Sequence, residues 1–166
     1  MLLDTRNQLL KYTFNTEITE INILRFISDW ENEKLTPTLN SEKVPENNNG
    51  LVKIIVGENF YKVVMDESKD ILVFLYSQYC NECLTSDKLF EELARKYQQR
   101  KNIEFAKIDM DNNEVLNINP EKMPVLRLYP KGNKSNPIDY TEGINSKELV
   151  EFLNKNLSEE APRVDL

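Results

Sequence analysis

The sequence of 166 residues contains no histidine. Imidazole is thereby removed as a general base, and proton chemistry near neutral pH falls to cysteines, perturbed carboxyl groups or water. Cysteine is scarce too, with only Cys80 and Cys83. Two thiols three apart do not form a disulfide framework, which uses more cysteines at wider spacing. Long apolar runs are also missing: the longest uninterrupted one, Ile71 to Tyr76, falls far short of the roughly 20 residues that a membrane helix needs. A soluble chain with no membrane partner is expected. Basic residues do not cluster beyond pairs such as Arg100-Lys101, and 28 acidic residues against 21 basic ones give a net charge of −7. Nucleic acid is an unlikely partner on this count, because phosphate contacts need concentrated Lys and Arg. The amino terminus, from Met1-Leu2-Leu3 to Asp4, Arg6 and Lys11, lacks the continuous apolar stretch of a secretory signal, so any such signal has been removed or lies upstream.

What is present suits one well-buried domain with an appendage. Leu9 to Phe14 reads as a short strand and Glu17 to Glu33 as a helix in which Ile23, Phe26, Ile27 and Trp30 recur at helical spacing and call for a partner surface. Residues 34–50, with Pro37, Pro45, Asn47 to Asn49 and Gly50, break periodicity and read as a linker. From Leu51 onward strand and helix patterns alternate, which indicates an α/β layer fold. Strands are expected at Val52–Val56, Ile71–Tyr76, Ile103–Asp109, Val125–Tyr129 and, at an edge, Pro137–Tyr140. The run Ile71–Tyr76 is apolar throughout and so reads as a central strand buried on both faces. Helices are expected near Asn59, over Cys83–Tyr97 with Leu84, Phe90, Leu93, Ala94 and Tyr97 on one side, as a turn or two at Asn112–Asn117, and after an Asn145 cap with Glu148 completing a capping box.

Tyr79-Cys80-Asn81-Glu82-Cys83 follows the central strand and opens the long helix. A thiol at a helix N-terminus faces unpaired N–H groups and the positive end of the macrodipole, which stabilise its thiolate. Cys80 is the natural attacker. Cys83, one turn on, is close enough to pair with it and to resolve a mixed disulfide, while being more buried and less acidic. Two core cysteines falling three apart would leave the same pattern. A zinc site would need two further ligands, and neither histidine nor a third cysteine exists to supply them. No metal and no cofactor are therefore assigned.

Residues 51–157 resemble the thioredoxin-like catalytic domain of protein disulfide isomerases. The likeness runs from Val52-Lys53-Ile54-Ile55-Val56-Gly57-Glu58-Asn59-Phe60 through Ile71–Tyr76 and the cysteine motif to Met123-Pro124-Val125. Leu35 to Pro45 resembles the connector ahead of the carboxy-terminal catalytic domain, and residues 9–33 look like the last strand and helix of the preceding non-catalytic domain. The resemblance implies a thioredoxin-like fold, a central mixed sheet flanked by helices, with an N-terminal helical extension. It also implies a division into an end of a preceding domain (1–33), a linker (34–50), a redox domain (51–157) and a flexible tail (158–166). Pro124 matches the family's cis-proline, which turns the backbone of Met123 toward an extended client strand; a trans proline opening a strand is the plainer reading.

Departures from the family bear on mechanism. A buried glutamate usually stands six residues before the first cysteine and exchanges the second thiol's proton; here that position is Phe74. A loop arginine that lowers the second thiol's pKa aligns with Ile144. Between the cysteines, Asn81-Glu82 stands where Gly-His is common. A carboxylate near the attacking thiolate raises its pKa and makes the disulfide harder to reduce. Glu82 is equally a good first-turn residue, and Tyr79, in place of the usual tryptophan, is equally a surface aromatic. The sequence thus leads to a slow, relatively reducing thiol–disulfide oxidoreductase of the endoplasmic reticulum lumen, with disulfide-containing clients and glutathione or other thiol oxidoreductases as partners. Its alternative is a client-holding chaperone module with an inert disulfide. The sequons at Asn133 and Asn156 are compatible with a secretory lumen.

Overall fold

A computed structural model describes residues 1–6, 10–140 and 145–158. The expectations for Ile144 and for the tail beyond residue 158 lie outside the described residues. The chain divides at Asn40/Ser41 into two units.

In the first unit, β1 (Leu2–Asp4) and β2 (Leu10–Tyr12) pair antiparallel, and α1 spans Glu20–Glu31. Thr19 caps α1 by accepting the N–H of Asn22 at 3.3 Å. Phe26 meets Phe14 edge to face, and the Trp30 indole donates to Asp4 at 3.3 Å while Arg6 stacks over its ring. Ile21 and Leu24 stay mostly exposed, and Ile23 and Ile27 are not buried either. Only part of the apolar stripe is therefore used within the unit.

The second unit is built on β4 (Asp70–Tyr76). Its neighbours β5 (Ile103–Asp109) and, beyond it, β3 (Val52–Ile54) run parallel to it; on the other side β6 (Val125–Tyr129) runs antiparallel to β4, and β7 (Ile138–Tyr140) runs antiparallel to β6. The sheet order is β3-β5-β4-β6-β7, a mixed sheet. Residues 70–75 of β4 are all buried, as a strand covered on both faces requires. Leu72 and Phe74 point to one face, where they pack with Phe90, Leu93 and Ala94 of α3 (Asn81–Tyr97) and Leu149 and Leu153 of α4 (Ser146–Asn156). Ile71, Val73 and Leu75 point to the other, against Phe60 and Val64 of α2 (Phe60–Val64), which continues a 3-10 turn at Gly57–Asn59. Asn145 caps α4 as expected, accepting the N–H of Glu148 at 2.9 Å.

Two local expectations are corrected. The buried stripe of α3 runs through Cys83, Ser86, Phe90, Leu93, Ala94 and Tyr97, and Leu84, about 100° off that stripe, is 65% exposed. Residues 112–117 form no helix. The buried Asn113 side chain is committed to Asp109 O and to Glu42, and Asn117 takes a left-handed backbone (φ 60°), which asparagine tolerates. The Asn47–Asn49 cluster, read as a breaker, also has a positive use. Asn48 donates to Ile54 O and accepts from Ile54 N at 2.7 and 2.8 Å, satisfying the outer edge of β3.

A buried polar junction closes the far end of β4. Asp70 is fully buried and accepts from Lys131 N and from both N and Oγ of Ser158, at 2.7 to 2.8 Å. Nearby, the buried Lys134 ammonium donates to Lys69 O and Tyr129 O, and burial pulls its pKa down. Truncating Asp70 removes the buried carboxylate that satisfies three donors, so D70A is expected to lose about 3 kcal/mol of stability in urea titrations; a loss under about 1 kcal/mol would contradict this account of the junction.

Candidate active site

The parallel pairing of β4 with β5 ends at Tyr76 opposite Asp109. There the chain leaves the sheet through Ser77, Gln78 and Tyr79 and enters α3. Cys80 is the N-cap, with extended backbone angles, and Cys83 lies in the first turn. The two sulfurs are bonded, with Cα atoms 5.2 Å apart. Cys80 Sγ also accepts the N–H of Cys83 at 3.1 Å, so the sulfur fills the capping place that a Ser or Asp oxygen takes in other helices. In the reduced state this donor and the aligned dipoles of α3 favour the thiolate.

The two cysteines differ in access. Cys80 is partly exposed, whereas Cys83 is 2% exposed in the cluster that contains Phe74 and Phe90. Phe74 is fully buried and stacks on Phe90 and Tyr76, with centroids 5.3 and 5.6 Å apart. Apolar walls disfavour a thiolate, which separates Cys83 from Cys80 in acidity. Asn81 and Glu82 are exposed on the first turn of α3. Tyr79, 90% exposed, borders the disulfide on one side. On another side are Met123 and Pro124, half-buried and joined by a cis peptide bond. The Met123 carbonyl lies 3.5 Å from Cys80 Sγ. A disulfide sulfur has no proton to give, but a Cys80 thiol can donate to that oxygen. The structure therefore gathers Cys80, Cys83, Asn81, Glu82, Tyr79, Met123 and Pro124 at one end of the sheet, with Phe74 lining the interior beneath.

Some neighbours escaped the sequence reading. The exposed Leu84 follows Cys83 directly. Asp111 accepts from Gln78 N at 2.7 Å and Ser77 Oγ at 3.0 Å, and Asp109 accepts from Gln78 Nε2 at 2.5 Å, so β5 and its following turn hold the loop ahead of Cys80. Lys107, in register with Phe74, bonds Asp87 and Glu91 of α3 at 2.8 and 3.1 Å. Although burial works against the charged form, these carboxylates raise its pKa. The available signal was positional: polar residues at the carboxyl ends of adjacent parallel strands meet at one edge. Among the described residues, no cluster of His, Cys, Asp and Glu could hold a metal ion, and no helix is long and apolar enough to cross a membrane.

The thioredoxin family model matches residues 51–155. Protein disulfide isomerase-like 1-4 of Oryza sativa subsp. japonica is 37% identical over 156 residues, covering 93% of this chain and 27% of that protein. Protein disulfide-isomerase A4 of Mus musculus is 33% identical over 156 residues, 92% of this chain and 24% of that protein. The chain thus spans about a quarter of the length of these relatives. Among solved structures, the first thioredoxin domain of mouse protein disulfide-isomerase A4 superposes with a TM-score of 0.57 at 21% identity, over 75% of this chain and 87% of that one. A chloroplastic thioredoxin z gives 0.55 at 19% identity, over 63% and 92%. The fold is thioredoxin-like.

The difference in burial is directly measurable. In the reduced native protein, Cys80 is expected to be alkylated at least about ten times faster than Cys83, since a reactive thiol needs both access and thiolate character. Equal labelling rates by mass spectrometry would contradict the geometry.

Proposed function

Because the chain belongs to the thioredoxin family, with that family's domain over residues 51–155, we propose that it is a thiol–disulfide oxidoreductase of the protein disulfide isomerase type, acting on disulfides of client proteins. The observation that carries this reading is the partly buried Cys80 at the N-terminus of α3, its sulfur accepting the Cys83 N–H and bonded to the buried Cys83. The named isomerases among its relatives support it.

In the reducing direction the Cys80 thiolate attacks one sulfur of a client disulfide, and the client's other sulfur leaves as a thiolate. Cys83 then loses its proton and attacks Cys80 Sγ. The Cys80–Cys83 disulfide forms and the client's second thiolate departs. Run in reverse, the oxidised pair hands its disulfide to a client and is left as two thiols, which the disulfide of oxidised glutathione or of another thiol oxidoreductase reoxidises, leaving that partner reduced. Tyr79 and the Met123-Pro124 backbone form the rim that receives an extended client segment.

Resolution is the slow half of this cycle. Phe74 supplies no carboxylate beside Cys83, so the proton passes to water or to Glu82. Glu82 also disfavours a thiolate at Cys80 relative to the disulfide, which Asn81 does nothing to offset. The potential should therefore lie below the isomerase value of about −180 mV, toward the thioredoxin value of about −270 mV.

In the longer protein implied by this reading, residues 51–157 form the carboxy-terminal catalytic domain. Residues 34–50 are its connector and 1–33 the end of a preceding non-catalytic domain. The apolar side chains left exposed on α1 are consistent with such an origin. The compartment is the endoplasmic reticulum lumen, where such chemistry acts on folding clients.

Insulin reduction with a dithiol donor should proceed with the wild type and fall to background in C80S; equal rates would leave client holding as the function. A titration against glutathione should give a potential more negative than about −180 mV, and a value at or above it would remove the reducing character.

A further inference from the structure

A run of hydrogen bonds links the segment ahead of β3 to the loop that carries Cys80. It begins at Glu42, whose N–H donates to Asn113 Oδ1 at 3.0 Å and whose carboxylate accepts from Asn113 Nδ2 at 2.8 Å. Ser41 Oγ sits 3.4 Å from the same Asn113 oxygen and accepts the N–H of Glu58 at 2.9 Å. Asn113 is 2% exposed. Its oxygen also accepts from Gly57 N and its amide donates to Asp109 O, both at 3.0 Å, so donors and acceptors of the side chain are all engaged. Asp109, 5% exposed, continues the run through its carboxylate, which accepts from Gln78 Nε2, Asn112 Nδ2 and Asp111 N. Asp111 then takes Gln78 N and Ser77 Oγ. Ser77 Oγ accepts the N–H of Tyr79 at 3.1 Å, and Ser77 O accepts the N–H of Cys80 at 3.2 Å.

These bonds do more than hold a surface loop. The thiolate-stabilising contact at Cys80 depends on where residues 77–80 leave the sheet, because that turn sets the position of Cys80 Sγ relative to the Cys83 N–H. Asn113 and Asp109, the buried centre of this network, have few alternative arrangements, since each bond broken there strands a desolvated group. Its far end, at Ser41 and Glu42, is exposed. It lies directly after the division between the two units at Asn40/Ser41.

We propose that Asn113 is a positioning residue for Cys80 and that the connector residues Ser41 and Glu42, through Asn113 and Asp109, tune the reactivity of the attacking thiol. The docked connector is then part of the redox unit's working structure, and a change in the connector is felt at a cysteine far along the chain. The proposal rests on Cys80 being the attacking thiol.

The test uses the full chain with C83S, so that only Cys80 reacts, and a small aromatic disulfide as probe. The Cys80 thiolate attacks one probe sulfur, a mixed disulfide forms, and one aryl thiolate is released and followed by absorbance. E42A and N113A are each expected to slow this reaction at fixed pH by at least about three-fold, the scale of coupling carried by such networks. The pair E42A/N113A should be no slower than N113A alone, and E42Q, which keeps an acceptor oxygen, should recover most of the rate. N48A is the control: it undoes connector bonds to Ile54 but none to Asn113, and should leave the rate unchanged. Additive effects, an equal slowing in N48A, or an unaltered rate in E42A would overturn the proposal; E42A decides if N113A does not fold. A wild-type Cys80 inert toward the probe would instead overturn the assignment of Cys80 as attacker, a distinct outcome.

Discussion

The structure turns on one contact, the Cys83 N–H donating to Cys80 Sγ at the start of α3. A helix leaves its first N–H groups without intrahelical partners, and here a sulfur takes one of them. Everything that gives this sulfur its chemistry is a consequence of where α3 starts. The buried strand β4 ends at Tyr76, three residues bridge to Cys80, and the buried side of α3, from Cys83 to Tyr97, is fixed against Phe74 and the facing cluster. Core packing thus sets the depth of Cys83, and the polar loop sets the exposure of Cys80.

The same arrangement explains why the pair is unequal. Attack needs a thiolate that is both stabilised and reachable, which Cys80 offers. Release needs a second thiol that can lose its proton, and the aromatic stack of Phe74, Phe90 and Tyr76 on this side of the core is poor surroundings for that. The nearby charges on this face, Lys107 with Asp87 and Glu91, are paired with one another. Under the proposed function, a site built in this way would make the second step the slower one.

Much of this was legible in the sequence, for identifiable reasons. The run Ile71–Tyr76 read as a strand covered on both faces, and the cysteine motif following it placed a thiol at a helix start. The Asn145 cap was equally readable, because its side chain acts on a backbone N–H three residues on. The two misreadings have different causes. At Leu84 a helix stripe was extended by one residue into a position that faces water. Residues 112–117 were expected to form a helical turn or two, while the Asn113 side chain is committed to Glu42, some 70 residues away in sequence. Side chains that bond groups far along the chain leave no local periodicity, so the partners of Asp109, Asp111 and Asn113 could be placed only by the fold.

The most direct test of the account is the acidity of Cys80, followed as the pH dependence of its alkylation in the reduced protein. The helix N-terminus and the Cys83 N–H oppose the carboxylate of Glu82, and the account has the first two prevail. The apparent pKa is then expected below the value of about 8.5 for a free cysteine. A pKa at or above that value would mean that the start of α3 does not activate its sulfur, and the account would fail at its centre.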